Sequence, residues 1–276
     1  MIKVLSLKFI LTLPVVFAWN RINTSLFYFT SLTFVVQFVK MKKHIPNFIT
    51  CCNLLCGCIS IYLSMQLNEQ WAAAFIFIAM LFDFADGLAA RMLNAYSDIG
   101  KQLDSLADVI SFGAAPAFIL VNQFTFHTTY PDPSLDWLKY FSFLIPVFGA
   151  LRLAKFNIDT RQQEIFLGLP IPSTGIFFAS FPLIFLSNGL LKPLMMNPWV
   201  LVGVIIFLSA MMVSEVPLFS IKFKGNVTGA NRIQFVFLFL SLFLVIFYSV
   251  SAVPLIILLY ILLSVLGKKY FYSPSK

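Results

Sequence analysis

Asp83, Asp86, Asp104 and Asp108 stand together in one stretch, DFADGLAARMLNAYSDIGKQLDSLAD, of a chain that is only 11% charged. The first pair is three residues apart and the second is four apart, so on helices each pair shares one face. Two such helices, converging at their ends, gather four carboxylates. Such a set repels itself strongly at low dielectric. Hard divalent cations, Mg²⁺ or Mn²⁺, relieve that repulsion because they prefer oxygen ligands. Two cations bridged by shared aspartates form a clamp suited to phosphoryl transfer. Gly87 leaves room for a planar or phosphate group, and Arg91, one turn on, is placed to meet a phosphate. Asp98 falls outside both pairs and reads as an ordinary surface acid. A proton or cation pathway through an ion-coupled carrier is the rival use of intramembrane carboxylates.

The elements that must position these groups are membrane helices. The chain of 276 residues is 60% hydrophobic, and its mean hydropathy is +0.91. Its apolar runs are continuous rather than alternating, which argues against a β-barrel. They approach the ~20 residues that a helix needs to cross a bilayer. The expected fold is an all-α polytopic bundle with eight spans: Phe48–Met65, Trp71–Met92, Leu103–Val121, Leu138–Ala154, Ser173–Leu190, Trp199–Val213, Ile233–Tyr248 and Val253–Leu266. The net charge of +8 does not indicate nucleic acid, because the basic residues sit at helix ends, as membrane topology requires. Lys40, Lys42 and Lys43 precede the first span, Arg91 and Lys101 follow the second, and Arg152, Lys155 and Arg161 end the fourth. Lys222, Lys224 and Arg232 separate the sixth from the seventh, and Lys268, Lys269 and Lys276 follow the last. The positive-inside rule then puts the aspartates at the cytoplasmic face. The protein is expected in the cytoplasmic (inner) membrane, among membrane lipids.

Other features fit this layout. Residues 1–40 read as an N-terminal extension or extra anchor. Met41-Lys42-Lys43 resembles a second beginning, and Met41 is expected to be the native start. Pro131 and Pro133 mark an outer loop, Pro170 and Pro172 end a cytoplasmic one, and Pro116 is expected to kink the third span. Trp137 and Trp199 fall at outer boundaries. Most phenylalanines read as lipid-facing. Cys51, Cys52, Cys56 and Cys58 read as small packing residues within one helix rather than a metal or redox site. His44 and His127 read as loop residues without a partner set. There is no internal repeat of the kind that carriers often show.

Asp83-x2-Asp86-Gly87-x2-Ala90-Arg91-x8-Gly100-x3-Asp104-x3-Asp108 resembles, at every fixed position, the signature of the CDP-alcohol phosphatidyltransferase family. The resemblance runs from about Met41 and weakens after Val213. It implies a six-helix catalytic core over residues 41–215, usually dimeric, with an active site open to the cytoplasm. Residues 216–276 would then add two helices and a short tail. It implies two metals per site, Mg²⁺ or Mn²⁺, with Asp83 and Asp104 bridging them, Asp86 on one and Asp108 on the other. Asp108 would also be the general base. Gly87, Ala90, Arg91 and Ser97 would hold the cytidine diphosphate part of CDP-diacylglycerol. Ile45-Pro46-Asn47-Phe48-Ile49-Thr50 resembles the family's Pro-Asn-x-x-Thr element and adds Asn47 and Thr50 to that pocket. Read without the resemblance, those two residues are helix-entry chemistry.

The signature is shared by enzymes that use different alcohols. Gly149–Asn157 and Phe166–Ser173 resemble the membrane-integral phosphatidylserine synthases of that family, with Lys155 where arginine is more usual. The resemblance implies transfer of the phosphatidyl group to L-serine with release of CMP. Serine is a small zwitterion, and its carboxylate wants a cation. Arg152 or Lys155 could supply one, Asn157 could hydrogen-bond it, and the Gly168–Pro172 turn could close the pocket. As plain residues, Arg152 and Lys155 are equally well topology anchors. Glycerol 3-phosphate or inositol would be the alternative acceptor.

Overall fold

The computed structural model describes residues 44–128, 133–158, 166–187, 191–219 and 229–267. The chain divides into two units, Met1–His44 and Ile45–Lys276. The expectations for the N-terminal extension, the Met41 start and Pro131 fall outside the described residues, as do those for Arg161, Lys222, Lys224 and the lysines after Gly267.

Nearly every described element of the second unit is helical. α1 is Ile45–Met65 and α2 is Glu69–Leu93. α3, Asp98–Asp108, passes through a π-helical segment, Val109–Ala114, into α4, Ala115–Phe126. A 3₁₀ segment, Pro133–Phe143, leads into α5, Leu144–Ile158. α6 (Ile171–Ala179), α7 (Phe181–Leu186), α8 (Lys192–Met195) and α9 (Pro198–Val213) follow. α10 (Gly229–Tyr248) and α11 (Ala252–Leu266) close the described chain. Among the described residues, helices occupy each of the eight expected spans. Among the described residues, five stretches are long and apolar enough to cross a membrane, and Ile171–Leu186 and Pro198–Val213 are shorter.

α1 shows how lipid solvation inverts the usual pattern. Its buried stripe is small and polar: Thr50, Asn53, Cys56, Gly57, Ser60 and Ser64. Phe48, Leu55, Tyr62 and Met65 point outward. Small residues let backbones approach, which is what drives helix association without a hydrophobic gradient. A Cβ on Gly57 would stand 2.5 Å from Ser111 Oγ, so α1 lies directly against the π segment. All four cysteine thiols are free, and Cys56 alone among them is buried.

The irregularity expected at Pro116 takes the form of the π segment just before it. Proline has no N–H to return to the carbonyl one turn back, so the hydrogen-bond ladder changes there. The fifth span, expected as one helix, is broken between α6 and α7 at Ser180, because Pro182 again removes a donor. Phe112, Phe177, Phe178 and Phe181 are not lipid-facing. They are buried, and the last three pack ring against ring.

Two features of the second half lie outside a pure helix pattern. Phe166–Leu167 pairs antiparallel with Pro217–Leu218. Gly168 follows at φ +73, where a Cβ would meet the carbonyl oxygens of Met212 and Ser214 at 2.5 and 2.8 Å. The Gly168–Pro172 turn is thereby bound to the end of α9. Ser249, at φ 48, reverses the chain between α10 and α11. The two helices run back along each other, so that Gly267 ends beside Ile233.

Candidate active site

α2 ends because Asn94 takes a left-handed conformation (φ 50, ψ 44), its N–H returning to Ala90 and Arg91 carbonyls. α3 begins at Ser97, whose hydroxyl caps the helix by accepting from Gly100 N at 3.0 Å. This short connection aims two acid-bearing helix ends at each other. Carboxylate oxygens of Asp83, Asp104 and Asp108 lie within 4.8 Å of one another. Asp108 is buried and its Oδ1 has no hydrogen-bond partner. Three carboxylates so close, one with an orphaned buried oxygen, could hold a hard divalent cation.

Asp86 is held differently. Thr50 Oγ1 donates to Asp86 Oδ2 at 2.6 Å. The pair lies in the wall of a pocket of about 480 Å³. Asn47, Gly87, Ala90, Ser97 and Asp104 also line it, so the structure brings most of the expected nucleotide-side residues together. A Cβ on Gly87 would meet nothing within 4 Å, so the helix surface is bare where the pocket opens. Gly100 is tight instead: a Cβ there would stand 2.8 Å from Asn47 Oδ1. Arg91 does not line the pocket; its Nε donates to the Gly87 carbonyl at 2.9 Å.

The acceptor-side residues are separated by their partners. Arg152 is buried, its Nε has no partner, and its guanidinium lies within charge-interaction range of Asp108 and Tyr260. It stands 5.8 Å over the Phe156 ring. Lys155 instead pairs with Glu215 at 3.0 Å, on the surface. Asn157 bridges α5 to α3: its Nδ2 donates to Ser105 Oγ at 2.9 Å, and its carbonyl accepts from Lys101 Nζ at 2.9 Å. The Gly168–Pro172 turn does not line the pocket beside Asp86.

The family profile described as CDP-alcohol phosphatidyltransferase matches residues 43–216. The chain belongs to the CDP-alcohol phosphatidyltransferase family. It is 40% identical over 134 residues to the CDP-diacylglycerol–serine O-phosphatidyltransferase of Bacillus subtilis (strain 168), covering 49% of this chain and 72% of that protein. It is 34% identical over 137 residues to the protein of the same name from Methanocaldococcus jannaschii, covering 50% and 59%. It is 34% identical over 143 residues to an archaetidylserine synthase of Methanothermobacter thermautotrophicus (strain Delta H), covering 50% and 57%. The chain thus spans between about half and three quarters of the length of these relatives.

The structure adds residues that sequence reasoning passed over. Asp98, read as a surface acid, lines the pocket together with Tyr96 and Lys101. His127, read as a residue without a partner set, stands 3.4 Å from Glu69 and stacks near Phe185. Asn53, in the small polar stripe of α1, is fully buried with both amide atoms unpartnered. The spacing of that stripe was its available signal, since Thr50, Asn53 and Gly57 fall on one helix face.

Proposed function

We propose that this protein transfers the phosphatidyl group of CDP-diacylglycerol to L-serine, forming phosphatidylserine and releasing CMP. The observation that carries the reading is the meeting of Asp83, Asp104 and Asp108 within 4.8 Å beside a pocket walled by Asp86 and Gly87. The relatives named for serine as acceptor support that choice of alcohol.

In this reading Asp83, Asp86, Asp104 and Asp108 would hold the divalent cations, Mg²⁺ or Mn²⁺, two per site. The cations supply charge neutralisation and alignment for the diphosphate when bound. Asn47, Thr50, Gly87, Ala90 and Ser97 seat the cytidine diphosphate head group, and Arg91 turns from the Gly87 carbonyl toward a phosphate. Asp108 accepts the proton of the serine hydroxyl. The serine oxygen bonds to the phosphorus that carries diacylglycerol, and the bond from that phosphorus to CMP breaks. Arg152, buried within charge-interaction range of Asp108, pairs with the serine carboxylate. Lys155 and Asn157 act from further out, through Glu215 and through the Asn157 bridge to α3. The donor enters laterally from the bilayer, which suits a helical bundle whose α1 and α2 expose Phe48 and Phe84.

The same reading makes residues 41–215 the catalytic core and residues 216–276 an addition to it. It places the site at the cytoplasmic side of the cytoplasmic membrane and makes the protein a homodimer. The test is incorporation of labelled serine by the purified full chain in vesicles containing CDP-diacylglycerol. Labelled phosphatidylserine should form with Mn²⁺ or Mg²⁺ and cease with a chelator. Serine that stays water-soluble under all these conditions contradicts the reading.

A further inference from the structure

Asn53 is fully buried, and neither Oδ1 nor Nδ2 of its amide has a hydrogen-bond partner. Its place relative to the aspartates follows from the helix registers. α1 and α2 run antiparallel: Thr50 meets Asp86, and Ser60 Oγ donates to the Ala72 carbonyl. Going up α1 from Thr50 therefore means going back along α2 from Asp86, and one turn on, Asn53 reaches the level of Asp83. α1 and α3 run parallel: Asn47 lies against Gly100 and Gly57 against Ser111. Between those two contacts, Asn53 falls on the level of Ala107 and Asp108. Ser111 Oγ donates to the Asn53 carbonyl at 3.0 Å, which fixes α1 there. Asn53 is thus level with Asp83 on α2 and with Asp108 on α3, and those two carboxylates lie within 4.8 Å of each other. Asp108 Oδ1 is itself buried and unpartnered.

A neutral amide at that level has a specific use. It can donate an N–H to a carboxylate without adding charge to a site crowded with it, and buried polar groups persist where a partner arrives. We propose that Asn53 is a positioning residue of the aspartate centre, its carboxamide turning to donate to the Asp83 or Asp108 carboxylate in the cation-binding arrangement. The proposal rests on the reading of these aspartates as a divalent-cation centre. Outer-shell partners of this kind are worth roughly 10–100-fold in metal affinity.

The test is calorimetric titration of Mn²⁺ into the purified full chain, without substrates, for the unaltered protein and for Asn53→Leu, with thermal melting of both in the absence of metal. Leucine is close to asparagine in size and removes both polar atoms. The expected result is Mn²⁺ affinity lowered at least about tenfold, with the metal-free melting temperature unchanged or raised. An affinity within about threefold of the unaltered protein overturns the proposal, whatever the melting temperature. Asn53→Ala, which removes the amide without adding bulk, is titrated in the same way and carries the same two outcomes should the leucine variant fail to fold. If the unaltered protein itself takes up no Mn²⁺, the reading of the aspartates fails rather than the role of Asn53 within it.

Discussion

Thr50 on α1 donates its hydroxyl hydrogen to Asp86 Oδ2 on α2 across 2.6 Å, and this bond sets one aspartate apart from the other three. Asp83, Asp104 and Asp108 face one another. Asp86 faces the pocket with Thr50 beside it. A hydrogen bond to a charged group contributes about 1.5–3 kcal/mol. Thr50→Val should therefore lower kcat/KM for CDP-diacylglycerol by about 10–100-fold, and Thr50→Ser should restore most of it. Kinetics over a range of donor lipid check this; a valine variant with unaltered kcat/KM contradicts it.

Asp108→Asn keeps the shape of the side chain and removes its capacity to take a proton. Turnover should fall by about 10²–10⁴-fold, while binding of the CDP donor, followed by calorimetry, changes far less. Full activity in this variant refutes Asp108 as the base.

Arg152 and Lys155 should part company. Arg152 is buried within charge-interaction range of Asp108, whereas Lys155 spends its charge on Glu215 at the surface. Arg152→Ala should raise KM for serine by at least about tenfold, the order expected for a charge-assisted hydrogen bond, and leave KM for the donor lipid nearly unchanged. Lys155→Ala should alter both by less than about threefold, as exposed ion pairs contribute little. Equal effects on serine and lipid in the Arg152 variant would mark it as a topology anchor.

The spans were legible because apolar runs near 20 residues have one stable form in lipid. The aspartate pairs were legible because charge inside such runs is costly and their spacing follows the helix period. What escaped was set by distant partners. Nothing near Lys155 announces Glu215, sixty residues on, and nothing near Asn157 announces Ser105 and Lys101 on another helix. Arg91 looked free to meet a phosphate, yet a carbonyl one turn back already receives it. The small polar stripe of α1 marks the face of Asn53 in the sequence, but its level against the aspartates lies in two helix registers, and one sequence states neither.

Gly168 ties the turn before α6 to the end of α9. Its φ of +73 and the carbonyl oxygens around its α-carbon leave no room for a methyl group. Gly168→Ala should destabilise the protein by about 1–3 kcal/mol, visible as a lower melting temperature in detergent. An unchanged melting temperature contradicts this.

The central claim is a phosphatidyl transfer at the aspartate centre with serine as acceptor. Release of CMP by the purified protein tests it most directly, with CDP-diacylglycerol and Mn²⁺ or Mg²⁺ present and serine, inositol or glycerol 3-phosphate offered in turn. The account predicts release with serine alone. Release with inositol or glycerol 3-phosphate but not serine contradicts the acceptor assignment, and no release with any alcohol contradicts the transfer itself.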